Sequence, residues 1–158
     1  MVVIASDQNY QLLMDVADRP AIYIGHTSID NNSTKTHQLA EQAWEVISSL
    51  QSDRRRQAIE EVKESISGGL VITDIGEIYR AAIDGRADLL VVNMDYHQPV
   101  RFSDDRNFDL ADDASEPGVV DDIITNIAWE VLSKNGRVVF TRQTELDELG
   151  NIALKARY

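Results

Sequence analysis

Short runs of continuous apolar residues alternate along this chain with longer stretches in which apolar side chains recur every three or four positions. The first run, VVIA at 2–5, predicts a buried strand. Leu12, Leu13, Val16 and Ala17 then fall at helical spacing within 8–17, with Ser6 and Asp7 placed to cap that helix and Pro20 to stop it. AIYI at 21–24, closed by Gly25, predicts a second strand. Strand, helix and strand in that order predict parallel pairing. The polar stretch SIDNNSTKT at 28–36 predicts a linker. A helix follows over about 34–50 on Leu39, Ala43, Val46, Ile47 and Leu50. Ser52 and Asp53 then open a second helix whose stripe is Ala58, Ile59, Val62 and Ile66.

Gly68 and Gly69 break the helical pattern, and LVI at 70–72 predicts a short strand. Thr73 or Asp74 caps the next helix, with Glu77 placed for a capping box and Ile75, Ile78, Tyr79, Ala82 and Ile83 as its core stripe. Gly85 suits the position just past its end. DLLVVNM at 88–94 is the strongest strand signal, and its unbroken apolar run predicts a central strand covered on both faces. HQPVRF at 97–102 reads as a short edge segment, because Pro99 cannot donate to a ladder. From Asp104 to Asp122 eight acids face one base, Arg106, which predicts a long surface loop. Residues 119–132 predict a well-buried helix carrying Val119, Val120, Ile123, Ile124, Ile127, Ala128, Val131 and Leu132, with Trp129 in the core or half-buried beside the stripe. Trp44 also falls on a helix. Asn135-Gly136 ends the later one, RVVFT at 137–141 predicts a strand, Glu145 to Leu149 a turn or short helix, and alternation from Ile152 to Tyr158 a final strand. The pattern is α/β, with helices on both faces of a mixed sheet.

Composition narrows the function classes. At 158 residues, with 43% hydrophobic and 27% charged positions, the chain is long enough for one domain with a real core. No run approaches the roughly 18 apolar residues of a membrane helix, and MVVIAS lacks the basic start of a signal peptide. The net charge of −12, from 15 basic and 27 acidic residues, repels phosphate backbones and argues against direct nucleic-acid binding. The absence of cysteine excludes disulfides, thiol catalysis and Cys-ligated zinc, and fits a cytoplasmic location. His26, His37 and His97 show no metal-ligand spacing, and DDRNFDLADD lacks the calcium-loop pattern. Phosphate-loop, dinucleotide-fingerprint and nucleophile-elbow patterns are absent. Arg54, Arg55 and Arg56 read as a solvated first turn near Glu60 and Glu61. The residues therefore designate no catalytic, cofactor-binding or metal-binding position, imply no cofactor, and leave the partner-binding residues unidentified.

Four stretches carry a family resemblance. They are GGLVITDIGEIYRAAIDGRADLLVV at 68–92, DLADDA at 109–114, VVDDIITNIAWEVLSKNGRVVF at 119–140 and GNIALKARY at 150–158 with its terminal Arg157-Tyr158. In this order and spacing they resemble the C-terminal domain of the archaeo-eukaryotic peptide-release-factor and Pelota family, in its bacterial branch. The resemblance implies an α-β-α sandwich like that of kink-turn-RNA-binding ribosomal proteins, filling residues 31–158. It also implies that residues 1–30 are the strand–helix–strand tail of the family's preceding middle domain. The family's Gly-Gly-Gln loop is not here: Gly68-Gly69 is followed by Leu70. Peptidyl-tRNA hydrolysis is thus not implied. What the resemblance implies is a non-catalytic module that docks protein partners, such as a translational GTPase or the ribosome, within a factor of stress, hibernation or rescue.

Two other readings stand beside it. A small-molecule-binding or hydrolytic α/β domain would place its site at the carboxyl ends of its strands, near Asp74, Asn93 and Asp95. Against this, Asp74 also reads as a helix cap, and Asn93 and Asp95 as turn residues. Met1 followed at once by a core strand reads as a trimmed start, in which case an exposed edge invites self-association.

Overall fold

The computed structural model describes residues 1–28, 36–142, 146 and 148–158. The predicted linker falls mainly on 29–35, outside the described residues, as do Glu145 and Asp147 of the predicted turn at 145–149. Leu146 and Leu149 are described, and the Leu149 N–H donates to the Leu146 carbonyl at 2.8 Å. The chain divides into two compact units, Met1–Arg54 and Arg55–Tyr158.

In the first unit, strand β1 (Val2–Ile4) pairs in parallel with β2 (Gly25–Thr27), Val3 facing His26. Helix α1 (Asp7–Val16) connects them, and the Ser6 side chain accepts from the Asn9 N–H as its cap. The parallel unit is as the pattern predicts, but its second strand begins later than 21–24. Pro20–Ile22 instead makes a 3₁₀ turn with Pro at its start, where the fixed φ of proline suits a helical turn. Pairing resumes at Gly25, where a Cβ would lie 2.7 Å from Val46 Cγ1, so the absence of a side chain lets the strand lie close against helix α2 (Thr36–Ile66). None of the described residues of this unit is buried, and Leu12, Val16 and Ile22 are exposed.

The two helices predicted over 34–66 are one, α2, of 31 residues. Ser52 and Asp53 are mediocre helix formers but are neither Gly nor Pro, so nothing there breaks the hydrogen-bond ladder. Arg54, Arg55 and Arg56 consequently lie in a helix interior rather than a first turn. The helix ends where expected, at Gly69 with φ +68°, as the Leu70 N–H donates back to the Ser65 carbonyl.

The second unit is a three-layer sandwich. Its sheet contains β3 (Val71–Ile72), β4 (Ala87–Asn93), β7 (Arg137–Thr141) and β8 (Ile152–Ala156) in the order β3-β8-β4-β7. Strand β4 is parallel to β7 and antiparallel to β8, so the sheet is mixed. The continuous apolar run does mark a central strand: Leu89 and Val91 pack on Ala58, Ile59 and Val62 of α2, while Leu90 and Val92 pack on helices α3 (Ile75–Ile83) and α4 (Ile123–Ser133). The final strand is β8, and it lies in this sheet rather than with β1 and β2, which form a separate one.

The short edge segment expected at 97–102 contains a strand, and residues 104–122 depart from the expected loop. Strand β5 (Val100–Phe102) pairs with β6 (Phe108–Leu110) in an antiparallel hairpin, and Val120 bridges to Val100. The apolar residues Val100, Phe102 and Phe108 drive this: Val100 is fully buried and the two rings pack on the core. The excess of acid masked the signal in the sequence. Val119 and Val120 accordingly precede α4 instead of opening it, and Asp122 caps the helix by accepting from the Ile124 N–H.

Candidate partner-docking surface

Helix α3 is amphipathic, and its Tyr79 ring turns inward onto the hairpin. The ring centroid lies 5.6 Å from that of Phe102 and 5.5 Å from that of Phe108, with the two Phe rings 5.9 Å apart and edge-on. Tyr79 of this triad floors two adjoining hollows of about 340 and 420 Å³, which also share Asn126, and Phe102 lines the second. Thr125, Trp129 and Glu130 of α4 line the first, and the turn Ser103–Asp105 lines the second.

The rim is acidic. Asp104 accepts from the N–H groups of Arg106 and Asn107, both at 2.8 Å, and from the Asn107 amide. The Asn107 side chain, then these backbone donors, hold its carboxyl below the usual range. The Tyr79 hydroxyl donates to the Asp105 carbonyl at 3.4 Å. Burial, with Glu130 and Asp105 nearby, pushes that hydroxyl's pKa up, so it stays a neutral donor. Glu130 pairs with Lys134 one turn on, and Arg106 pairs with Asp84 at 2.8 Å. Asp105 has no ion-pair partner among the described residues.

Trp129 corrects an expectation. It is 70% exposed rather than in the core or half-buried, because the buried face of α4 is Ile123, Ile124, Ile127, Ala128 and Val131. Leu132, counted in the stripe, is exposed as well. The groove was missed in the sequence for this reason. A usable signal was there: Thr125, Asn126 and Ser133 share the helical arc of Trp129, and that arc is polar.

The residues of the small-molecule reading are engaged structurally. The Asp74 carboxylate caps α3, accepting from the Glu77 N–H at 2.9 Å. Asn93, buried at the end of β4, donates to the Asn151 side chain and accepts from the Asp95 N–H at 3.0 Å. Asp74 and Asn93 share one end of the sheet with β8 between them. The histidines are scattered: His26 stacks on Tyr10 with centroids 4.1 Å apart and contacts Asp7 at 3.0 Å, His97 lies 3.7 Å from Asp122, and His37 lies in the first turn of α2. Among the described residues no group of three His, Cys, Asp or Glu side chains could hold a metal ion, and no helix is long and apolar enough to cross a membrane.

On the opposite face of the sheet a charge network ties α2 to three strands. Register slips between Ala87 and Leu89, which re-aims Asp88. Arg137 of β7 grips Glu61 with both guanidinium nitrogens, at 2.9 and 2.7 Å, and contacts Asp88 at 3.2 Å. Lys155 of β8 reaches Glu61 at 2.6 Å and Asp88 at 3.0 Å. The bonds from Arg137 and Lys155 hold the Glu61 carboxyl down to a pKa of about 2. These groups are already partnered with one another, which marks the network as structural.

Known proteins resemble the chain along its length. The family model for bacterial archaeo-eukaryotic release factor family 3 matches residues 1–86. No curated protein matches. The C-terminal domain of a peptide chain release factor from Methanosarcina mazei superposes on 79% of this chain and 96% of its own, at 19% identity and a TM-score of 0.59. Archaeal Pelota, from a model of ribosome-bound Pelota and ABCE1, covers 99% of this chain and 43% of its own, at 18% identity and a TM-score of 0.54. Saccharomyces cerevisiae Dom34, described as a translation termination-like factor involved in RNA quality control and interacting with Hbs1, covers 99% of this chain and 46% of its own, at 15% identity and a TM-score of 0.53. At such identities the likeness is one of fold, and the chain spans less than half the length of the Pelota and Dom34 structures. The mixed sheet sandwiched between helices is thus the fold of the release-factor and Pelota C-terminal domain, and with more than half its length matched by the family model the chain belongs to bacterial archaeo-eukaryotic release factor family 3.

Proposed function

We propose that this chain is a non-catalytic docking module of a release-factor-like, ribosome-associated protein, acting in the cytoplasm and binding protein partners of the translation machinery. The observation that carries the reading is the family match, joined to a fold that aligns over 99% of the chain with factors named for their association with the ribosome, ABCE1 or Hbs1. Residues 31–158 are its C-terminal domain, and residues 1–30 the end of a middle domain. Residues 1–28 bury none of their side chains and expose Leu12, Val16 and Ile22, which fits a segment that packs within a middle domain. Partner docking rather than hydrolysis fits a chain in which Gly68-Gly69 leads into Leu70 and ends a helix. The aromatic groove supplies a surface for it. The test is affinity capture with the full chain from a bacterial lysate, with the retained proteins identified by mass spectrometry. Ribosomal proteins or a translational GTPase are expected above a bait-free control. Their absence at low and moderate salt would overturn the reading.

A further inference from the structure

We propose that the groove floored by Tyr79 and walled by Trp129 docks a basic, arginine- or lysine-bearing segment of a protein partner. This deepens the docking-module reading and rests on it. Trp129 stands 70% exposed on a helix whose other large side chains are mostly packed into the core. An exposed indole beside a packed aromatic ring is the kind of residue that anchors interfaces. The indole face attracts a guanidinium or ammonium group through its quadrupole. The carboxylates on the rim then select the sign of the occupant. Asp104 stays ionised through its hydrogen bonds, and Asp105 has no ion-pair partner among the described residues. Arg106, the base of this turn, is committed to Asp84. Lys134 takes part of the Glu130 charge but lies a helical turn past Trp129. The hollows, about 340 and 420 Å³, sit at the small end of ligand-site volumes, roughly 300–1,000 Å³. They have room for side chains of a peptide laid across α4 and the hairpin turn. A phosphate-bearing strand meets the wrong charge here, on a chain of net charge −12.

The test uses the full chain carrying Trp44→Phe, which leaves Trp129 as the single tryptophan. A hexa-arginine peptide is titrated while the emission of Trp129 is followed, and a fluorescently labelled copy of the peptide gives the affinity by anisotropy. A saturable change in Trp129 emission is expected. Trp129→Ala should weaken the peptide about tenfold, and Asp105→Asn several-fold. Glu64→Gln, on α2 across the sheet, should leave it unchanged. Equal affinity in Trp129→Ala overturns the proposal. So does equal weakening by Glu64→Gln and Asp105→Asn, which would mean diffuse attraction to an acidic surface. Tighter binding of a hexauridylate RNA than of the peptide at Trp129 would also overturn it, in favour of a nucleic-acid site. Co-sedimentation of the same variants with purified ribosomes separates the two levels. Co-sedimentation of the chain with ribosomes but no Trp129-dependent peptide binding sinks the groove and leaves the module. Trp129-dependent peptide binding by a chain that captures no translation component supports the groove and sinks the module.

Discussion

Gly136 follows Asn135, which ends α4 at φ +61°, and there is no space for a side chain where β7 begins. A Cβ there would lie 2.5 Å from Val131 Cγ1, 2.9 Å from the Val131 carbonyl oxygen and 3.0 Å from that of Ala87. Two of those three atoms are backbone and cannot swing away. Gly136→Ala is therefore expected to cost about 2 kcal/mol or more, seen as a lower urea midpoint at unchanged slope. Gly25→Ala, whose clash is with a single valine methyl group, should cost less. At the start of α3, Asp74→Ala should lose about 1 kcal/mol through the missing cap, while Asp74→Asn, an equally good cap, should keep most of the stability. Loss of stability in Asp74→Asn as large as in Asp74→Ala would mean that the charge, not the cap, is what α3 requires. The capping role of Asp74 was legible from its spacing to Glu77, because a cap is a local arrangement. The exposure of Trp129 was not, because eight apolar residues over 119–132 suggested a face wide enough to include it, and only the departure of Val119 and Val120 into the approach to α4 narrows that face.

Between elements, the network of Glu61, Asp88, Arg137 and Lys155 joins α2 to strands β4, β7 and β8. The folded pKa of Glu61, about 2, lies below its ordinary 4.5. Its contribution is thus fully present above about pH 4.5 and is lost as the pH falls toward 2. Stability to urea should hold level through neutral pH and decline below about 4.5. Glu61→Gln should cost about 1–2 kcal/mol at pH 7 after allowance for solvent screening and should flatten the acid decline. An unchanged acid profile in that variant would show that other carboxylates dominate it. Most elements were legible from period and punctuation: β4 from its unbroken apolar run, α3 from its stripe, and the end of α2 from Gly68-Gly69. Failures came where a tertiary contact outweighed a local sign. Ser52-Asp53 resembles a helix start but lies within α2. AIYI resembles a strand, yet Pro20–Ile22 forms a 3₁₀ turn and the pairing with β1 begins only at Gly25. The β5–β6 hairpin was hidden because its three apolar anchors are spread among acids.

At the scale of the whole molecule, the arrangement turns on the order β3-β8-β4-β7, which brings the C-terminal strand to the middle of the sheet. The ending GNIALKARY, part of the family resemblance, is thus also a structural requirement: Ala153 and Leu154 are fully buried on opposite faces. Truncation before Ile152 should abolish cooperative unfolding, as followed by circular dichroism. Where α4 and the hairpin meet, the same scaffold leaves an aromatic, acid-rimmed groove open, and Trp129→Ala should change stability by no more than about 0.5 kcal/mol because the ring is exposed. That separation of folding from recognition makes the central claim testable without ambiguity. The measurement is sedimentation of the purified chain through a sucrose gradient with purified bacterial ribosomes, in the presence and absence of a ribosome-free lysate fraction. A docking module of a release-factor-like protein should move with the ribosomal peak in at least one condition, and less so as Trp129→Ala. A chain that stays at the top of the gradient in every condition, while folded by circular dichroism, would contradict the account.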